Sequence, residues 1–267
     1  MHEAVGRTET IHCQLDPARA VAMHAILGLE SAPPQAGDPL PPFWHQIYFW
    51  EPLPAEKLGR DGHIRIGGFI PDLGLPRRMW AAGQIDFHAP VEIGTPATKV
   101  TTIERVARKT GRTGPLAITS LRHDIRQNDA LCISERQDLV YLPDREPGAE
   151  QIAPPIARTD EEERETHSFD TTLLFRYSAV TMNGHRIHYD LDYAKGVEEY
   201  AGLVVHGPLL AQRLIVMAER ELGAVRRFTF RATAPLFHDE VATFCNSGAD
   251  FWVRGPDGRQ CMVATAE

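Results

Sequence analysis

Apolar residues recur at helical spacing toward the C-terminal end of the chain. Between Pro208 and Leu222 this spacing predicts a long amphipathic helix that stops at Gly223. Its apolar positions are Leu209, Leu210, Leu214, Ile215, Met217, Ala218 and Leu222. A second helix is predicted from Asp16-Pro17 to Leu29, because an aspartate precedes it as a cap and proline occupies its first position.

Shorter apolar runs, rich in alternating or β-branched residues, predict strands. They cover residues 45–50, 84–88, 99–105, 115–125 and 130–141, and then 172–178, 228–232, 240–246 and 260–265. Several short strands with one dominant helix in each half of the chain predict the α+β class, with mostly antiparallel pairing.

A stretch rich in proline and acidic residues divides the chain. Residues 143–166 contain four consecutive acids at 160–163 and little apolar periodicity, so we predict that they form a linker. The division leaves an N-terminal half, residues 1–142, and a C-terminal half, residues 167–267. Each half is long enough to bury a core of its own.

Composition excludes several classes of protein. The chain carries 28 lysines and arginines against 36 acids, a net charge of −8, which argues against nucleic-acid binding. A membrane helix is not indicated, because no apolar run approaches about 18–20 residues, and a secretion signal is not indicated, because residues 1–16 lack the basic-then-apolar pattern. The 4 cysteines form no CxxC pair and predict neither a zinc cage nor a disulfide framework. We therefore expect a cytoplasmic protein.

Candidate proton-transfer groups cluster after the turn pair Asn183-Gly184. Asn183, His185 and His188 lie within six residues of one another, and histidine titrates near neutrality, with an ordinary pKa of about 6.5. Two other interpretations remain open: the histidines are merely exposed, or His185 and His188 bind a metal together with Asp190 or Asp192.

A second feature precedes the long helix. In His206-Gly207-Pro208 the amide of Gly207 lies at the start of the helix, where N–H groups lack an intrahelical acceptor and partial positive charge accumulates. Glycine lets a carbonyl oxygen approach the backbone closely. The segment fits an oxyanion hole, although a plain helix start has the same pattern.

Together the two segments resemble the MaoC-like hydratase and dehydratase family of hot-dog fold. Residues 177–181, Tyr-Ser-Ala-Val-Thr, match the opening of its motif. His188 corresponds to its catalytic histidine and Gly207 to the glycine whose amide holds the thioester oxygen. The chain departs from the motif at Asn183, where the family has aspartate, at His185, where it has asparagine, and at Arg186, where it has proline.

The altered motif is similar to a narrower branch: mesaconyl-C4-CoA (3-methylfumaryl-CoA) hydratases, itaconyl-CoA hydratases and mitochondrial hydroxyacyl-thioester dehydratases. Residues 67–71 and 75–83 also look like the amino-terminal region of that branch. The resemblance, which runs from about Leu15 to the end, implies a double hot-dog. Its N-terminal half would be degenerate and its C-terminal half catalytic.

For this chain the resemblance implies an acyl-CoA hydratase that needs no cofactor. Asparagine cannot serve as a base, so we expect His188 to transfer the proton in a one-base mechanism. Asn183 would hold the water, His185 would be a possible second proton relay, and Gly207 would bind the thioester oxygen.

The substrates of the resembled branch carry a free carboxylate, which suits the planar fork of arginine. Arg186, Arg77 and Arg78 are the candidates, and His206 is assigned with them to substrate binding. An acyl-CoA thioester is the expected partner, and association into a homodimer or a higher oligomer is expected as well.

Three other functions compete with this hypothesis. A 3-hydroxyacyl-thioester dehydratase would use the same site on a fatty-acid type of substrate. A thioesterase uses the same fold with a carboxylate, which the asparagine at position 183 disfavours. A catalytically silent acyl-thioester-binding subunit would also show an aspartate-to-asparagine change, but retention of His188 and Gly207 argues against it.

Overall fold

The computed structural model describes residues 2–111, 114–145 and 153–267. Within them the helices are α1 (Pro17–Leu27), α2 (Thr171–Thr181), α3 (Leu191–Gly196) and α4 (Gly207–Leu222). The strands of the N-terminal half are β1 (Thr8–Gln14), β2 (Arg77–Phe87), β3 (Pro96–Gly111), β4 (Gly114–Gln127) and β5 (Ala130–Leu142). Those of the C-terminal half are β6 (Glu163–Ser168), β7 (Arg227–Ala232), β8 (Val241–Ser247), β9 (Asp250–Arg254) and β10 (Gln260–Ala266).

All of these strands pair in one antiparallel sheet, in the order β1-β3-β4-β5-β2-β7-β10-β9-β8-β6. The two halves meet at β2 and β7, where Gly83 lies opposite Phe230 and Ile85 lies opposite Phe228. Glycine is required at position 83, since a Cβ there would lie 2.4 Å from the Phe230 ring. The junction is therefore a continuous ladder rather than a flexible hinge.

Helix α4 provides the core of the C-terminal half. It packs against β7, β9 and β10, and the face buried there includes Leu210, Leu214 and Met217, as the apolar spacing predicts. The predicted N-terminal helix is also confirmed as α1. Its cap is Asp16, whose carboxylate accepts a hydrogen bond from the Ala18 amide at 2.9 Å.

Two predicted strands are wrong. Residues 172–178 belong to helix α2, because Asp170 caps the Leu173 amide at 2.7 Å and Leu174, Tyr177 and Ser178 bury one helical face. Within residues 45–50 the chain instead makes a 3₁₀ turn, Trp44–Ile47. An apolar run this short does not distinguish a strand from another buried conformation.

The predicted linker also ends earlier than expected. Residues 163–166 belong to β6, which pairs with β8 through contacts such as Glu163 with Asn246. Residues 146–152 of the predicted linker lie outside the described residues. The α+β class is confirmed. In the described part of the chain, no helix combines the length and apolar character that crossing a bilayer would demand.

Candidate active site

The segment after α2 turns sharply toward the interior. Met182 ends the helix in the left-handed conformation, with φ of 53°. The Asn183 Oδ1 atom then accepts a hydrogen bond from the His185 amide at 3.0 Å, and residues 186–188 form a 3₁₀ turn. Because the side-chain oxygen of Asn183 already accepts this hydrogen bond within the loop, its Nδ2 atom is the side-chain group that can donate to a bound oxygen.

The His188 ring is held in its neutral form. Its ring is buried, and its Nδ1 atom donates a hydrogen bond to the Val204 carbonyl at 2.7 Å. Because a carbonyl only accepts, the proton of the neutral ring lies on Nδ1, and Nε2 keeps a lone pair. Burial lowers the pKa of His188 to about 4, against the opposing effect of the Val204 hydrogen bond. The ring can therefore accept a proton near neutral pH.

His206 supports His188 from behind. The two rings stack with centroids 3.7 Å apart. On its other side, the Nε2 atom of His206 forms a hydrogen bond with Ser178 Oγ at 2.8 Å. His206 is completely buried, and burial holds its pKa well below the ordinary value. His206 therefore packs behind the His188 ring and, unlike the prediction that it binds substrate, is not among the residues that line the cavity.

The amide of Gly207 is next to this stack, at the first turn of α4. N–H groups there have no acceptor within the helix and lie at the positive end of its dipole. A Cβ on residue 207 would lie 2.7 Å from Trp80 Cε3, and the Trp80 ring itself stacks on Phe230 at 4.4 Å. Glycine therefore lets the helix start pack tightly against β2 and keeps the amide accessible.

His188 and Gly207 line a large cavity whose wall includes residues of both halves. The cavity has a volume of about 1770 Å³. Among the predicted residues, its lining includes Asn183, His185, His188, Gly207, Arg77 and Arg78. A backbone donor and an imidazole base thus share one cavity, which is the minimum that an enoyl-thioester hydratase requires.

The three candidate arginines differ in what they contact. Arg77 is buried in an ion pair with Glu198, at 2.9 Å. Arg186 pairs with Asp190 at 2.7 Å and is not among the residues that line the cavity. Arg78 is half-buried on the cavity wall and forms no ion pair with any described residue. Of the three, Arg78 is the cation that remains available to a ligand.

Two residues that sequence reasoning missed complete the cluster. Asp61 and His63 come from the loop before β2, and Asp61 Oδ2 lies 3.1 Å from His63 Nδ1. The His63 ring lies 4.5 Å from the His185 ring, between centroids. The sequence signal was only an acid and a histidine two residues apart in a glycine-containing loop, and nothing local connects that pair with residue 185.

Ligand atoms of Asp61, His63 and His185 all lie within 4.8 Å of one another, so these residues could hold a metal ion. The grouping differs from the one that the sequence suggested. Asp190 is occupied elsewhere, since its carboxylate accepts hydrogen bonds from Arg186 and from the Tyr193 amide. The structure does not place it with His185 and His188.

Comparison with known proteins gives the family. The model of the hydroxyacyl-thioester dehydratase type 2 family matches residues 43–238, which is most of the chain. The chain belongs to this family. It is 43% identical to a mesaconyl-C(4)-CoA hydratase of Chloroflexus aurantiacus, over 98% of this chain and 96% of that protein.

A more distant sequence relative and a solved structure agree with this family and its fold. A mitochondrial hydroxyacyl-thioester dehydratase type 2 of Schizosaccharomyces pombe is 26% identical, over 80% of each chain. A Mycobacterium tuberculosis protein described as having a double hot-dog fold superposes with a TM-score of 0.61 at 13% identity, covering 98% of this chain and 95% of that chain. The predicted double hot-dog and the predicted relationship to hot-dog dehydratases are confirmed.

Proposed function

We propose that this chain is a hydro-lyase that adds water reversibly across the α,β double bond of a branched dicarboxylic enoyl-CoA. The proposed substrate is of the mesaconyl-C4-CoA type, and its hydration gives citramalyl-CoA. Two findings support this: the 43% identity to a mesaconyl-C(4)-CoA hydratase, and the position of the His188 base beside the start of α4. The second observation carries the mechanism.

In the proposed reaction His188 Nε2 takes a proton from water while the water oxygen bonds to the β-carbon. The electron pair of the double bond moves toward the thioester, and negative charge develops on its oxygen. The Gly207 amide donates to that oxygen at the positive end of α4. The proton then passes from His188 to the α-carbon. Asn183 holds the water oxygen through its Nδ2 atom.

The free carboxylate of the substrate needs a cation, and we assign Arg78 to it. Arg78 lines the same cavity as His63, His185 and His188. Arg77 and Arg186 are neutralised by Glu198 and Asp190. A guanidinium binds a carboxylate at two points, so replacement by lysine weakens the contact even though the charge is kept.

The part of the cavity lining that comes from the N-terminal half also favours a short polar acyl group. Polar side chains of the N-terminal half line it: His45, Gln46, Lys99, Thr101, His123, Glu135 and Gln137. Several are buried and bonded to one another, as in the His45–Glu135 pair at 2.9 Å. A long apolar chain would displace water from these groups without replacing their hydrogen bonds. This disfavours a fatty-acid type of 3-hydroxyacyl-thioester as the preferred substrate.

The deciding experiment is a panel assay on the purified chain with mesaconyl-C4-CoA, itaconyl-CoA and crotonyl-CoA. Loss of enoyl absorbance measures hydration, and release of free thiol measures thioester hydrolysis. We expect hydration without thiol release, fastest with mesaconyl-C4-CoA. Binding of all three thioesters without conversion, or thiol release alone, would contradict the proposal.

Two variants test the assigned roles. His188→Ala should reduce kcat by about 10²–10⁴-fold while the far-UV circular dichroism spectrum is retained. Arg78→Lys should raise KM for mesaconyl-C4-CoA by about tenfold or more and leave crotonyl-CoA nearly unaffected. Arg186→Lys is the matched control, with little effect on either substrate. Equal effects of Arg78→Lys on both substrates would refute the carboxylate role.

We also expect the enzyme to work in the cytoplasm as a homodimer or a larger homo-oligomer. The four cysteines are free thiols, consistent with a reducing compartment. Strands β1 and β6 end the sheet of the chain, and such edges are sites where copies can associate. Light scattering after size-exclusion chromatography measures the state, and a monomer at working concentration would contradict this expectation.

A further inference from the structure

The N-terminal half contributes a loop that docks directly on the catalytic segment. The Asp61 carbonyl accepts a hydrogen bond from the Arg186 amide at 2.9 Å. Gly62 and Gly184 touch through their backbones, and a Cβ on Gly62 would lie 2.0 Å from the Gly184 carbonyl oxygen. Two glycines at this contact let the two main chains approach to van der Waals distance. The position of the loop relative to His185 is therefore fixed by backbone contact.

Within that loop Asp61 orients His63. The His63 amide donates to Asp61 Oδ1 at 3.1 Å, and His63 Nδ1 donates to Oδ2 of the same carboxylate, also at 3.1 Å. His63 Nε2 consequently keeps its lone pair. An aspartate that fixes the tautomer of an imidazole also stabilises the imidazolium when the ring takes a proton.

The imidazoles form a continuous series beside this carboxylate. The centroids of His63 and His185 are 4.5 Å apart, those of His185 and His188 are 5.5 Å apart, and His188 stacks on His206. His185 Nε2 is buried and meets no hydrogen-bond partner among the described residues. An unpartnered buried nitrogen is costly unless a ligand or a proton uses it.

The C-terminal motif has no anion of its own at this point, because residue 183 is asparagine. We propose that Asp61 and His63, from the N-terminal half, are the charge partner of the hydration site and stabilise the imidazolium that forms when His188 takes a proton from water. This inference rests on the proposed function. It makes the N-terminal half a contributor to the chemistry rather than a degenerate copy that only lends shape.

The proton balance of the step is complete within the site. One proton leaves water for His188 as the carbon–oxygen bond forms, and the same proton later reaches the α-carbon. In the interval the positive charge lies on His188, and the Asp61 carboxylate is the anion at the other end of the series that runs through His185 and His63. Burial lowers the pKa of His63 to about 4 and that of His185 to about 2. Such rings hold a proton poorly unless a carboxylate lies beside them.

The charged groups around the cluster act in opposite directions. Asp61 raises the pKa of His63 and of His185, whereas Arg78 lowers both. A substrate carboxylate on Arg78 would offset that cation and leave Asp61 as the stronger influence. The carboxylate of the loop and the carboxylate of the substrate would then both favour the protonated state of the cluster.

Asp61→Asn tests the inference, because it removes the charge and keeps the size. We expect kcat for mesaconyl-C4-CoA to fall by about 10²–10⁴-fold while KM changes by less than about threefold. Asp61→Glu, which restores a carboxylate, should recover at least about a tenth of the lost rate. His63→Gln should lose a similar amount of kcat. The double variant should lose no more than either single variant, since the pair acts as a unit.

Glu56→Gln is the matched control, an exposed acid of the same region that should leave kcat and KM unchanged. Melting temperatures near that of the wild type show that the variants are folded; if Asp61→Asn does not fold, His63→Gln and Asp61→Glu decide. If Asp61→Asn and His63→Gln both keep the wild-type kcat, or if only KM changes, the inference is overturned and the proposed function still stands. A wild-type enzyme that hydrates no thioester would overturn the proposed function first.

A metal site is the competing use of the same residues. If Asp61, His63 and His185 hold zinc, the purified enzyme should contain about one equivalent of it, and a chelator should abolish turnover. That result would overturn the assignment of a charge partner. Full activity after exhaustive chelation, with no metal detected by mass spectrometry, would support the assignment of Asp61 and His63 as the charge partner.

Discussion

Acid should destabilise this enzyme through the same burial that makes its histidines neutral. His63 and His188 titrate near pH 6.5 in the unfolded chain, but burial lowers the pKa of each to about 4 in the folded protein. Between these pH values the unfolded state binds protons that the folded state excludes. The free energy of unfolding therefore falls as the pH falls through this window.

The magnitude follows from the shift. At pH 5 the unfolded ring of His188 is almost fully protonated and the folded ring is still neutral. pH 5 lies about 1.5 units below the ordinary histidine pKa of about 6.5. At about 1.36 kcal/mol per unit, this gap corresponds to about 2 kcal/mol of unfolding free energy for His188 alone. His63 contributes a similar amount. Against a typical stability of about 5–15 kcal/mol, these two side chains alone make the protein markedly acid-sensitive.

Urea denaturation at pH 7 and at pH 5 measures the effect in the wild type and in His188→Gln. Glutamine can still donate to the Val204 carbonyl but does not titrate. The variant should therefore lose about 2 kcal/mol less than the wild type between the two pH values, whatever its stability at pH 7. His12→Gln, at an exposed position, should show the wild-type loss.

An equal loss of stability in His188→Gln and in the wild type would refute the reasoning. It would mean that His188 is already protonated in the folded state at pH 5 or is accessible to solvent. Burial would then not lower the pKa of His188 as described above. A changed slope of unfolding free energy against urea concentration would instead indicate a changed denatured state and would disqualify the comparison.

Three further substitutions probe the architecture of the site. Gly207→Ala should push Trp80 from its position and lower kcat/KM by about tenfold or more, because the new methyl group would overlap the indole ring. Arg77→Met should destabilise the fold by about 3–5 kcal/mol in urea titrations, since it leaves buried Glu198 without its partner. Gly62→Ala should lower both the melting temperature and kcat, because residue 62 has φ of +86° and no room for a Cβ.

Each of these has a control and a contrary outcome. Gly196→Ala is the control for the glycine variants, as a Cβ there meets no atom within 4 Å. Full kcat/KM in Gly207→Ala would show that the start of α4 does not bind substrate. An Arg77→Met variant as stable as the wild type would show that water solvates the carboxylate. An unchanged Gly62→Ala enzyme would show that the loop contact is not needed.

Local sequence features determined individual elements in both halves of the chain. The spacing of apolar residues located α4, the Asp16-Pro17 pair located α1, and the turn at Asn183-Gly184 marked the motif. These features depend on interactions within one or two helical turns, which the sequence shows directly. The same reasoning failed for residues 172–178, because short apolar runs fit a strand as well as a buried helical face.

Only the tertiary structure decided how the two halves share the site. It separated Arg78 from Arg77 and Arg186, whose charges are met by Glu198 and Asp190. It also brought Asp61 and His63 to His185 from a loop far away in the chain. Which acid meets which imidazole depends on how β2 pairs with β7 and how two glycines let main chains touch. Such contacts form between residues distant in sequence, so no local pattern of side chains records them.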